Sequence, residues 1–84
     1  MTATIADVRR EVVEVLSEQF SRQPESITDT TTCAELGADD LDVVELTMEF
    51  EDRLGISIPD ADPEGLLTVG QWTSYLAGRL GCAE

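Results

Sequence analysis

Histidine and lysine are both missing from this 84-residue chain. Without imidazole there is no Ser–His or Cys–His pair and no mixed Cys/His zinc site. Without lysine, the five bases are all arginines (Arg9, Arg10, Arg22, Arg53, Arg79), set against 18 acids for a formal net charge of −13. That balance argues against nucleic-acid binding through phosphates and against an anionic membrane surface. The two cysteines, Cys33 and Cys82, are too few for a disulfide framework or a four-thiolate metal site, and are expected to be reduced thiols. No apolar run approaches the ~18 residues of a spanning helix. The N-terminus Met1–Asp7 lacks the basic flank and apolar stretch of a secretory leader. Repeats, low-complexity tracts and alternating strand patterns are absent too. The expectation is a soluble, cytoplasmic, monomeric protein that is not an enzyme.

What is present suffices for one domain over residues 1–84. Hydrophobic residues make up 42% of the chain, whereas strongly charged disordered chains are poor in them. At this length folding buries roughly 60–65% of the unfolded surface, enough for one small core.

From Ile5, the residues Val8, Val12, Val15 or Leu16, and Phe20 recur at three- and four-residue steps, which predicts an amphipathic helix with Thr4 as N-cap. Ser21 to Asp39 reads as a long polar connection anchored by Ile27, Cys33 and Leu36, linking two helices across a bundle. A second helix is predicted from Asp39–Asp40 to Leu54, stopped by Gly55, with Leu41, Val44, Met48 and Leu54 alternating with Leu46 and Phe50 as a wide apolar face. Gly55 to Asp60 looks extended because it runs into Pro59. Asp62-Pro63 suits the start of a helix of one or two turns reaching Leu67. Thr68 and Gln71 have capping-box spacing ahead of a last helix with Val69, Trp72, Leu76 and Leu80 inward, ending at Gly81. The predicted class is all-α: three main helices, one short helix and a long first loop.

Seven acids (Asp39, Asp40, Asp42, Glu45, Glu49, Glu51, Asp52) lie between residues 39 and 52 with no base among them. Dipole complementarity accounts for those in the first turn and not for Glu49, Glu51 and Asp52. A docking surface for basic partners accounts for all seven. A calcium loop starting at Asp40 fails, since position 5 would be Val44 and the glycine position 6 would be Glu45. Acid–base catalysis by a carboxylate pair lacks an orienting group or an oxyanion hole.

The run Leu36-Gly37-Ala38-Asp39-Asp40-Leu41-Asp42-Val43-Val44-Glu45-Leu46, followed by Ile56-Ser57-Ile58-Pro59-Asp60, resembles an acyl carrier protein, in the style of the free-standing carriers of fatty-acid synthesis. The likeness reaches from the first helix to Leu80. It implies a four-helix bundle whose second helix docks on basic surfaces of synthase or transferase enzymes. Carried over by position, Asp39, Asp42, Glu45, Met48, Glu51 and Asp52 would form the recognition face, and Leu41 and Val44 would flank a phosphopantetheine arm. Leu46, Phe50, Ile58 and Leu67 would face an acyl chain, although the same four residues serve equally as ordinary core.

Such carriers bear their arm on a serine at the position held here by Asp40. A carboxylate is not the hydroxyl nucleophile that the transferase reaction requires. No cofactor is therefore expected on the chain as written, and 4′-phosphopantetheine would be expected if residue 40 were serine. Ser17, Ser21, Ser26, Ser57 and Ser74 sit in no comparable motif. Three readings stay open. One is a carrier-like protein that has lost carriage and kept docking. Another is a genuine carrier whose attachment serine was replaced by aspartate. The third is an acidic binding or regulatory module sharing only the scaffold.

Overall fold

Three side chains start the three helices of this protein. In the computed structural model, which describes residues 4–59 and 62–81, these are α1 (Ile5–Phe20), α2 (Asp40–Leu54) and α3 (Val69–Leu80). Thr4, Asp39 and Thr68 each accept the backbone N–H three residues on, from Asp7, Asp42 and Gln71. Those three residues return a bond to the cap's own N–H, completing a capping box at every helix start. The Thr4 N–H, then its hydroxyl and Arg10, hold the Asp7 carboxyl below its ordinary value of 3.8. Each helix ends in a left-handed residue: Ser21, Gly55 and Gly81, with φ of 53°, 66° and 69°. Glycine takes that conformation freely, while at Ser21 it carries a cost of about 1 kcal/mol.

The class is all-α, as expected. α1 packs mainly on α3 and less extensively on α2. Val8, Val12, Val15 and Leu16 of α1 meet Val69, Trp72, Leu76 and Ala77 of α3, with Leu46 and Phe50 of α2 closing the core. The Phe50 and Trp72 rings lie 5.3 Å apart at 46°, a tilted aromatic pair. The radius of gyration is 11.8 Å, the value expected of a compact chain of this length.

The long first connection does more than span the bundle. It contains a 3₁₀ turn at Pro24–Ser26, and Ile27 and Leu36 anchor it in the core. Residues 29–33 then run beside the start of α3. The Gly70 N–H donates to Asp29 O at 2.9 Å, the Val69 N–H to Thr31 O at 2.9 Å, and the Cys33 N–H to Leu67 O at 3.0 Å. A Cβ on Gly70 would come within 3.1 Å of the Asp29 oxygen, so a side chain there would push that carbonyl back by a few tenths of an ångström.

Two sequence expectations are corrected. The short helix is a single 3₁₀ turn, Asp62–Gly65, that stops before Leu67. It closes with the Leu66 N–H on Pro63 O at 3.0 Å. The wide apolar face of α2 divides in two. Leu46 and Phe50, four residues apart, are buried, whereas Leu41, Val44 and Met48 are 65, 54 and 60% exposed. A helix presents one stripe to its neighbours, and the adjacent stripe here has only a short turn beside it. Asp60 and Cys82 lie outside the described residues. No helix among the described residues is long and apolar enough to cross a membrane.

Arg53 closes the α1–α2 seam. Its Nη1 reaches Glu11 at 3.3 Å and Glu14 at 3.2 Å, its Nη2 reaches Glu18 at 3.4 Å, and its Nε reaches Glu49 at 2.9 Å. These acids, Glu49 first, raise the guanidinium pKa still higher. Arg53→Met leaves four carboxylates facing one another across the seam. It should lower stability by about 1 kcal/mol in urea unfolding, and added salt should narrow the gap to wild type.

Candidate docking face and groove

The capping box at the start of α2 sets the orientation of its acids. Asp39 Oδ1 accepts the Asp42 N–H at 2.9 Å, and Asp42 Oδ2 accepts the Asp39 N–H at 3.0 Å. Both carboxylates are therefore committed to the helix end, and Asp40, in the first turn, is left exposed. Further along, Glu45 accepts from Gln19 of α1 at 3.2 Å, and Glu49 is held by Arg53. Glu51 Oε2 accepts the Ile58 N–H at 2.9 Å and so fixes the segment after α2. Asp52 is exposed. Of the acids assigned to the recognition face, Glu45 and Asp52 project most freely, while Asp39, Asp42 and Glu51 also have structural duties.

The arginines give this face little compensation. Arg9 pairs with Asp29 and Arg10 with Asp7, while Arg22 donates to Glu35 O and Arg79 to Ser57 O. Arg53 faces α1. Among the described residues no arginine reaches Asp40 or Asp52, so the outer side of α2 keeps its negative charge. No cluster of three or more potential metal ligands occurs among the described residues.

Beside the acids lies a groove of about 670 Å³ between α2 and residues 63–67. Asp40, Val43, Val44, Thr47, Met48 and Glu51 form one wall, and Cys33, Pro63, Leu66 and Leu67 form the other. Of the four residues assigned to an acyl-facing interior, Leu67 lines the groove and is 63% exposed. Leu46, Phe50 and Ile58 are buried in the core instead. Val43, Thr47, Pro63, Leu66 and Cys33 were not anticipated. For α2 a signal existed: 40, 43, 44, 47, 48 and 51 form one stripe at helical spacing. For Cys33 there was none, because its place depends on the pairing with Leu67. Thr47 Oγ1 donates to Val43 O at 2.8 Å, which hides its hydroxyl in the helix.

Cys33 is half-buried, and burial pushes its thiol above the ordinary value of 9.0, outweighing the opposite pull of the Trp72 indole N–H. That N–H is buried and lacks a hydrogen bond of good geometry. The sulfur is a weak acceptor that the indole influences without being satisfied by it.

A small helical bundle whose second helix keeps an acidic outer side beside a groove is compatible with a carrier. Comparison with known proteins agrees. Residues 10–76 match the family described as "Phosphopantetheine attachment site". The chain is 41% identical over 71 residues to the acyl carrier protein of Campylobacter hominis (83% of this chain, 90% of the relative). It is 36% identical over 77 residues to that of Amoebophilus asiaticus (90% and 96%). With that of Rhodopseudomonas palustris it shares 38% identity over 73 residues (86% and 92%). The chain belongs to the acyl carrier protein family. Members carry acyl groups on 4′-phosphopantetheine, interact with the enzymes of fatty-acid synthesis and are not themselves catalysts. An acyl-carrier-like function in fatty-acid metabolism follows.

The geometry separates the two adjacent aspartates. Asp39→Ala removes the cap and should lower stability by about 1 kcal/mol in thermal or urea unfolding. Asp40→Ala, at an exposed site in the first turn, should stay within about 0.5 kcal/mol of wild type.

Proposed function

We propose that this protein is a cytoplasmic, monomeric docking member of the carrier family that engages basic surfaces of carrier-dependent enzymes and bears no pantetheine arm. The observation that carries this reading is Asp40. It sits in the first turn of α2, directly after the Asp39 cap, in the run Gly37-Ala38-Asp39-Asp40-Leu41 where the family resemblance places the attachment serine. The arm is joined through a hydroxyl oxygen, and a carboxylate offers none. The hydroxyls that the chain does have sit differently. Ser17 and Ser26 donate to backbone carbonyls within α1 and within the 3₁₀ turn, and Thr47 donates into α2. The residues therefore do not fit the cofactor.

Docking is supported separately, by the charge on Glu45 and Asp52 around the exposed Leu41, Val44 and Met48. An apolar centre with a charged rim is the usual anatomy of a protein interface, and one-signed charge steers an oppositely charged partner to it. A second reading has its own support: identities of 36–41% over most of the chain suit a genuine carrier whose attachment serine has been substituted by aspartate at residue 40.

Incubation with coenzyme A and a phosphopantetheinyl transferase should leave the intact mass unchanged, and Asp40→Ser should gain one phosphopantetheine. A stable adduct on the unaltered chain overturns the proposal. Docking is tested by the pair Glu45→Lys and Asp52→Lys, which should weaken binding to a carrier-dependent synthase about tenfold or more in titration calorimetry. Binding by the unaltered chain should also weaken as salt rises from about 0.05 to about 0.3 M. Affinity that responds to neither change would mean that the face is merely solvated.

A further inference from the structure

Two charged side chains from different helices hold one and the same peptide group. Glu51 Oε2, on α2, accepts the Ile58 N–H at 2.9 Å. Arg79 Nη2, on α3, donates to the Ser57 carbonyl oxygen at 2.7 Å. That carbonyl and that N–H are the two ends of a single amide. A carboxylate at its donor end and a guanidinium at its acceptor end polarise the amide in the same sense, so each bond strengthens the other. α1 packs on both α2 and α3, whereas α2 and α3 pack less extensively on each other. The Ser57–Ile58 peptide therefore bridges the two helices where direct packing is thin. The Ile58 side chain is buried beneath it, while Ser57 and Arg79 are exposed.

Glu51 is also open to a partner, because its side chain lines the groove beside Asp40, Val44 and Met48. A carboxylate binds a cation more strongly than a neutral N–H, so the two compete for it. We propose that the Ser57–Ile58 peptide is a latch between α2 and α3 that docking releases: a cationic side chain of a partner enzyme takes Glu51, and the Ile58 N–H loses its acceptor. The release rests on the docking reading, while the bridge itself stands on the two bonds. An amide that has lost Glu51 no longer reinforces the Arg79 bond, so an event on α2 is felt on α3. Linkage runs the other way by the same factor, and weakening the bridge at Arg79 frees Glu51 for the partner. The buried Ile58 side chain keeps the connection in the core. The latch therefore changes how often the peptide opens and not the fold.

The test uses the full chain, a carrier-dependent ketoacyl synthase of fatty-acid synthesis, and two variants that each remove one positive charge. Arg79→Met breaks the bridge, and Arg10→Met, at an exposed site on α1 paired with Asp7, controls for charge alone. Both positions are exposed, so both variants should fold. Without the synthase, hydrogen exchange at the Ile58 amide, read by NMR, should be about fivefold faster in Arg79→Met than in Arg10→Met, although Arg79 bonds only the far end of that amide. Glu51→Gln, which leaves a neutral acceptor, should also speed it. In titration calorimetry Arg79→Met should bind the synthase about threefold more tightly than Arg10→Met, and that gain should vanish in a Glu51→Gln background. Ile58 exchange that ignores Arg79→Met overturns the bridge. Equal affinities for the two arginine variants, with the unaltered chain binding normally, overturn the release and leave docking standing. A synthase that binds none of these chains overturns the docking reading and the release together, and the exchange data alone then show the bridge.

Discussion

Eighteen acids and five arginines must share one small globule, and the placement of those arginines organises the rest. Arg53 gathers Glu11, Glu14, Glu18 and Glu49 into the seam between α1 and α2. Arg9 holds the loop residue Asp29, whose carbonyl takes the Gly70 N–H, and Arg79 holds Ser57 after α2. Every cation is turned to an internal partner. The negative charge left over concentrates on the outer side of α2, where repulsion is relieved by solvent and by the positive end of the helix dipole. The outer side of α2 is acidic because of this division.

The groove has a geometric origin. A full helix beside α2 would have covered both of its apolar stripes. The single turn Asp62–Gly65 is too short for that, so Leu46 and Phe50 enter the core while Leu41, Val44 and Met48 stay in solvent next to the acids. Two duties fall on adjacent residues as a result. Asp39 caps the helix and makes its geometry, and Asp40, next to it in the first turn, is left exposed. A carboxylate at residue 40 suits the helix dipole as well as a hydroxyl would.

Local signals were legible where local physics decides. Thr4, Asp39 and Thr68 followed by Asp7, Asp42 and Gln71 announce helix starts, and Gly55 and Gly81 announce stops, because these depend on bonds made within a few residues. The acidic run and its resemblance to a carrier were equally plain. The division of α2 into a buried and an open stripe was not, since Leu41, Val44 and Met48 are as apolar as Leu46 and recur at similar steps. Which stripe is buried depends on what packs against it.

The sequence by itself determined the class, the starts of the three main helices, the charge and the identity of residue 40, all of them properties of composition or of contacts along the chain. Only the tertiary structure decided that Glu51 holds the Ile58 N–H, that Arg53 faces α1, and that Cys33 lines the groove with Asp40 and lies beside Trp72. Those pairings join residues from 7 to 42 positions apart, and no periodicity encodes them. They come from the way three amphipathic helices and one short turn share a core too small to bury every apolar side chain.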